Sequence, residues 1–211
     1  MIKGAIFDFD GTLFDSMFIW ESIGESYLRS IGIKPKQDVN ETVKALSLYQ
    51  AACYFQREYG VDLSALEIMN GVNEMVERFY KKETLPKPHA VELLRRFHNK
   101  GVKMCIATAT DRYLIEAALK RCGISKYFSG IFTCTEVGHG KDEPHIFRQA
   151  LEHLGVNKKD AIVFEDSLYA VKTAKSDGFT TVAVFDRHEK NQTQLKKLAD
   201  FYIEDLSQFN I

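Results

Sequence analysis

The chain has 211 residues, 45% of them hydrophobic and 27% charged, which is the balance of a folded protein with a sizeable core and excludes disorder. Its formal charge of -1 excludes the basic footprint that duplex nucleic acid or an anionic membrane surface requires. Any phosphate it binds is therefore met locally, and no apolar run approaches membrane-spanning length.

Residues 3–8 (KGAIFD) read as a strand, and the amino terminus enters it without the pattern of a secretory signal. Asp8 and Asp10 follow at once in "FDFDGTLFDS". Asp-Gly between apolar residues is a hairpin signal, but the next stretch, "SMFIWESIGESYLRS", repeats apolar residues at three and four rather than two. The acidic pair is accordingly placed in a strand-to-helix loop.

Residues 16–85 form a helical insertion, larger than an ordinary loop. Met17, Trp20, Ile23, Tyr27 and Ile31 make one helical set; Val43, Leu46, Tyr49 and Cys53 make a second; Leu66, Met69, Val72, Val76 and Phe79 make a third, behind a capping box at Ser64 and Glu67. Trp20, Phe14 and Tyr49 are candidate pocket aromatics, although such spacing more often marks core.

Beyond the insertion, strands at 102–107, 161–164 and 180–184 alternate with helices at 88–99, 111–122, 142–154 and 167–177. Pro88 suits a first helical position, Lys141 opens the third helix, and Gly101, Gly123, Gly155 and Gly178 stand where the helices stop. The alternation predicts an α/β fold, a doubly wound parallel sheet, with core segments 1–15 and 86–211 and a helical cap of 16–85 over the carboxyl edge of the strands, where ligands collect. Thr108, Glu165 and Asp166 fall at strand ends on that edge and converge there with Asp8, Asp10 and Lys141. Four carboxylates and one lysine imply a divalent cation, since two like charges about 4 Å apart repel by roughly 4 kcal/mol at an effective dielectric near 20. All-oxygen ligation favours magnesium over zinc.

Cys53, Cys105, Cys122 and Cys134 form no C-x-x-C pair, so reduced thiols in a cytoplasmic protein are expected. The asparagines of two glycosylation-type triplets, Asn40 and Asn191, carry no meaning without a secretory route. The six histidines show no recognised ligand spacing and are assigned no role.

"DFDGTLFDS", the Thr after a central strand, the Lys before Pro144 and Phe147, and "FEDSLYAVKTAKSDGF" together resemble the four motifs of the haloacid dehalogenase superfamily. The insertion is similar to the cap of its branch containing phosphoglycolate phosphatase and β-phosphoglucomutase. The resemblance implies a Rossmann-like core and a magnesium-dependent phosphatase that hydrolyses a small phosphorylated metabolite through an aspartyl phosphate. It implies Asp8 as nucleophile, Asp10 as general acid and base, and a catalytic Thr108 and Lys141. Gly11, Thr108, Ala109 and Lys141 would bind the phosphate. Metal ligands would be Asp8, Asp166, Asp10 through its carbonyl, and Glu165 through a metal-bound water.

The chemistry agrees, because a carboxylate attacks phosphorus without first losing a proton. Thr108 as a helix cap, Lys141 as a solvated lysine and Glu165-Asp166 as helix N-terminal acids are the separate structural readings. The sequence departs from the family pattern at Asp142, His145 and Ala170, where proline, aspartate and glycine are usual, which bears on substrate identity and not on the reacting groups. A phosphomutase is disfavoured because no Arg-x-Lys-Gly-like stretch lies between 40 and 75. A receiver-type phosphate sensor is disfavoured because it would need neither a cap nor a second catalytic aspartate. A monomer is expected.

Overall fold

The computed structural model describes residues 1–44 and 46–210. In chain order the strands are β1 (Gly4–Phe7), β2 (Phe14–Asp15), β3 (Leu85–Pro86), β4 (Lys103–Thr108), β5 (Ile131–Thr133), β6 (Ala161–Glu165), β7 (Thr180–Val184) and β8 (Phe201–Ile203). The helices are α1 (Met17–Trp20), α2 (Ile23–Ser30), α3 (Val39–Val43), α4 (Leu48–Tyr59), α5 (Ala65–Arg78), α6 (Ala90–Asn99), α7 (Arg112–Arg121), α8 (Cys134–Val137), α9 (His145–Leu154), α10 (Leu168–Ser176) and α11 (Gln192–Leu198). A π-helical turn, Phe79–Glu83, follows α5.

Six strands form one sheet in the order β5-β4-β1-β6-β7-β8, every pair parallel. The continuous apolar runs of the central strands reflect burial on both faces. Ala5 and Phe7 enter one hydrophobic cluster with Phe97, Ile106 and Phe164. Ile6 points the other way, among Cys105, Val163, Ile146 and Phe147. Phe7 stacks on Phe164 with ring centroids 4.5 Å apart, immediately before Asp8 in the chain.

The two edge strands, β5 and β8, were not expected from the sequence. They have only three residues each, and Phe201 is half exposed, so neither carries the long apolar run of a buried strand. The expected helix starts also shift. Pro88 precedes α6 rather than opening it, because His89 adopts a left-handed φ of 62° at the N-cap. Lys141 does not open α9, which begins at His145 behind Pro144; a residue before proline is disfavoured in the α region, so Glu143 cannot extend the helix backward. Helices α6, α7, α9 and α10 do end beside Gly101, Gly123, Gly155 and Gly178, all at positive φ.

The insertion has its own hydrophobic cluster, built on Tyr27, Leu28, Phe55, Ile68 and Val72. The capping box at Ser64 forms, Glu67 N–H donating to Ser64 Oγ and Ser64 N–H to Glu67 Oε2. A second box at Ser47 and Gln50 divides the second expected helical set, so Val43 ends α3 while Tyr49 lies exposed on α4. The first set is divided likewise between α1 and α2. Phe14 and Asp15 pair antiparallel with Pro86 and Leu85, which brings the entry and exit of the insertion side by side. The loop between β1 and β2 is closed by bonds from the Leu13 and Phe14 amides to the Phe9 carbonyl. It is a tight loop leading to α1, with β2 too short to make the hairpin reading correct.

Candidate active site at the carboxyl edge of the sheet

Strand register brings the acidic residues together. Phe7 pairs with Ile106 on one side and Phe164 on the other, and the Asp8 amide donates to the Phe164 carbonyl at 2.9 Å. Asp8 therefore leaves the sheet beside Glu165, at the point where the strand order reverses about β1. Asp8, Lys141, Glu165 and Asp166 are all at least nine-tenths buried. Lys141 Nζ donates to Asp8 Oδ1 and, at 2.7 Å, to Glu165 Oε1. Glu165 Oε2 accepts from the Ser167 amide and hydroxyl at 2.9 and 3.0 Å. Both oxygens of Glu165 are thus occupied, which makes this side chain the anchor of the lysine. Asp166 Oδ1 accepts from the Thr12 hydroxyl at 3.1 Å.

Asp8 Oδ2 is buried with no hydrogen-bond partner, an arrangement that costs about 1–3 kcal/mol when nothing binds there. Asp8, Glu165 and Asp166 each bring a carboxylate oxygen within 4.8 Å of the others. Three buried carboxylates against one ammonium leave an excess of negative charge, and the hard oxygen donors suit a divalent cation. The residues present fit such an ion. The carboxylate of Asp10 lies outside this group of three.

The electrostatics follow from burial. Desolvation pushes the Asp8 carboxyl up to about 7, against the pull of Lys141 and with the help of Glu165 and Asp10. Desolvation, then the charges of Glu165 and Asp8, hold Asp166 well above the usual carboxylate range. For Lys141, burial works to lower the value, but Asp8 and Glu165 outweigh it and keep the ammonium protonated well past its ordinary range. With divalent ions chelated, folded Asp8 keeps its proton up to about 7 while the unfolded chain loses it near 3.8. The unfolded state then binds fewer protons, so this group makes stability fall as pH rises across that window. Urea midpoints at about pH 5 and about pH 7.5 should drop in the chelated protein and drop less in Asp8→Asn; equal drops would contradict the assignment.

Asp10 faces a different set of partners. Its Oδ1 accepts from Ser16 Oγ at 2.6 Å and Tyr80 Oη at 2.5 Å, and its Oδ2 accepts from Thr110 Oγ1 at 2.7 Å. Trp20 Nε1 donates to Tyr80 Oη at 2.7 Å. Burial raises the Asp10 carboxyl, and these hydroxyl donors oppose the rise. Burial and the charge of Asp10 push the Tyr80 phenol well above its ordinary range, so it stays a donor. Ser16 stands at the entry of the insertion and Tyr80 at its exit, which ties the position of the insertion to this carboxylate.

Thr108 ends β4 and is fully buried, its Oγ1 accepting from the Thr110 amide at 3.1 Å. It tightens the turn before α7 rather than capping the helix, whose N-cap position is Asp111. Thr108, Ala109 and Lys141 line the same cavity as the two aspartates. Gly11 has φ +80°, and a Cβ there would sit 2.5 Å from Asp166 Oδ2 and 2.7 Å from Met17 Cγ. Gly11→Ala should therefore cost at least about 2 kcal/mol of stability and lower activity. A thermal melt and activity both unchanged from the parent would contradict the close packing.

The sequence reading overlooked Ser16, Tyr80 and Thr110. Thr110 had a signal, since it stands two residues from Thr108 in "TAT". Tyr80 had none, being one aromatic among several in a helical stretch. Of the three candidate aromatics, Trp20 lines the cavity, Phe14 is core stacked on Phe9 at 4.1 Å, and Tyr49 is exposed. The histidines are not all isolated. His139 and His145 stack at 4.1 Å and both meet the Glu143 carboxylate, at 3.2 and 3.0 Å.

The insertion lines one side of the cavity, and core residues 188–190 meet its side chains there. His188 meets Glu21 at 3.2 Å, Lys190 meets Glu41 at 2.6 Å, and Glu189 meets Lys44 at 3.6 Å. No helix among the described residues is long and apolar enough to cross a membrane.

Residues 2–178 match the family described as haloacid dehalogenase-like hydrolase. In a gapped alignment of 215 positions that takes in 95% of this chain and 91% of the other, the chain is 31% identical to the "Probable pseudouridine-5'-phosphatase" of Drosophila melanogaster. It is 25% identical over 181 residues to the "Phosphorylated carbohydrates phosphatase" of Thermotoga maritima, covering 86% of this chain and 84% of that one. The crystal structure of CbbY from Rhodobacter sphaeroides in complex with phosphate superposes with a TM-score of 0.82 at 22% identity, over 99% of this chain and 96% of the other.

Proposed function

The chain belongs to the haloacid dehalogenase-like hydrolase family, and from that premise we propose that it is a magnesium-dependent phosphatase that hydrolyses a small phosphorylated metabolite through Asp8. Relatives across nearly the whole chain carry phosphatase names, which supports hydrolysis of phosphate esters. The observation that carries the reading is the unpartnered Oδ2 of Asp8, buried in the cavity beside Asp166 and Lys141.

In this reading Asp8 attacks phosphorus, a P–O bond to aspartate forms, and the ester P–O bond breaks. Asp10 gives its proton to the departing alcohol oxygen. Water then attacks phosphorus, Asp10 takes its proton, and the Asp8 carboxylate leaves. Lys141 offsets the charge of the phosphoryl oxygens, and Thr108 and the amides near Gly11 and Ala109 hold them. Magnesium, held by Asp8, Asp166 and the Asp10 carbonyl, would supply further positive charge to the phosphoryl group. Glu165 holds Lys141 in place. The segment 16–85 acts as a cap that excludes bulk water, and 1–15 with 86–211 acts as the catalytic core.

Purified protein treated with a chelator and assayed for phosphate release from a panel of phosphorylated metabolites tests this directly. Release is expected only after magnesium is restored, with no isomerised sugar phosphate formed. Full release in the presence of chelator, or none from any ester with magnesium present, would overturn the reading.

A further inference from the structure

The insertion's side of the cavity describes the alcohol half of the ester, an inference that rests on the phosphatase reading. On the floor, the acidic residues and Lys141 are matched to a phosphoryl group. Above them, the insertion presents Trp20, Ile23, Val43, Leu48, Phe55 and Val72. Among the described residues of the insertion that line the cavity, the polar side chains are Glu21, Asn40, Glu41 and Lys44. The three charged ones pair with the core at His188, Lys190 and Glu189. Asn40 Oδ1 accepts from the Glu25 amide at 3.0 Å, and the indole N–H of Trp20 is held by Tyr80.

A sugar phosphate would bring several hydroxyls against this surface, where the partners left are the Asn40 amide N–H groups and the largely exposed carboxylates of Glu21 and Glu41, so a hydroxyl packed on the apolar side chains is buried without a partner and destabilised. A flat ring gains instead, since aromatic and branched aliphatic side chains pack on its faces. We propose that the substrate is a monophosphate ester whose alcohol portion is a flat, largely apolar ring system rather than a polyhydroxylated sugar.

The test compares kcat/KM, at saturating magnesium, for benzyl phosphate and glucose 6-phosphate. Both are esters of primary alcohols, so leaving-group chemistry is matched; acetyl phosphate, which has no ring, serves as a control for phosphoryl transfer. Benzyl phosphate is expected to exceed glucose 6-phosphate by about 10- to 100-fold, the range an apolar pocket achieves against added hydroxyls. Val43→Thr and Leu48→Gln should each lower the benzyl-to-acetyl ratio by at least about fivefold, and a ratio measured within one preparation cancels any loss of folded protein. Equal or better turnover of glucose 6-phosphate, with acetyl phosphate hydrolysed, would overturn the apolar-ring assignment and leave the phosphatase standing. Unchanged ratios in both variants would overturn it too. Failure to hydrolyse any of the three would overturn both.

Discussion

Asp8→Asn is expected to abolish phosphate release, lowering kcat by roughly 10⁴-fold or more, because an amide cannot replace the attacking carboxylate. The fold should survive. Asparagine is nearly the same size, and Lys141 keeps Glu165 as a partner at 2.7 Å. In the chelated protein at neutral pH the variant should melt at the same temperature or higher, since the native carboxylate is destabilised by burial and by its neighbouring acids. Phosphate assays beside thermal melts check both halves. Retention of most activity would refute the nucleophile assignment, whereas a collapse of the melt would show that Asp8 serves the fold.

Lys141→Met should have the largest effect on stability. The ammonium is buried between Asp8 and Glu165, and its loss leaves two desolvated carboxylates facing each other. Removing one partner of a buried ion pair typically costs about 3–5 kcal/mol, far more than an exposed pair contributes. Activity should fall by roughly 10²- to 10³-fold as well, through loss of charge against the phosphoryl oxygens. Magnesium should recover part of the stability and little of the activity, because it can neutralise the carboxylates without occupying the ammonium's position. Chemical denaturation with and without magnesium checks this. A loss below about 1 kcal/mol in the chelated variant would place Lys141 among ordinary solvated lysines.

The sequence was most informative where chemistry and burial impose a pattern. The central strands carry continuous apolar runs because both faces are covered, as Ile6 and Phe7 show by entering opposite clusters. The candidate residues Asp8, Thr108, Glu165 and Asp166 do stand at strand ends, as the apolar runs before them led one to expect, because parallel strands deliver their carboxyl ends to one edge. The short edge strands were not legible, since three residues each leave no run long enough to read. Nor was the hydroxyl collar of Asp10. Ser16 and Tyr80 meet there because the β2–β3 pairing brings the two ends of the insertion together, and Thr110 arrives separately from the end of β4, the neighbour of β1. The Ser47 capping box shows a different failure. Periodicity ran across it because apolar residues on either side kept helical spacing by coincidence, while Ser47 and Gln50 started a new helix.

Rapid acid quench during turnover of acetyl phosphate with magnesium, followed by mass spectrometry of proteolytic fragments, tests the central claim most directly. A phosphoryl group should appear transiently on the peptide containing Asp8, at a level that precedes steady release of phosphate, and should be absent from Asp8→Asn. Sustained turnover with no phosphorylated peptide at any time, or with the label on another residue, would contradict the account.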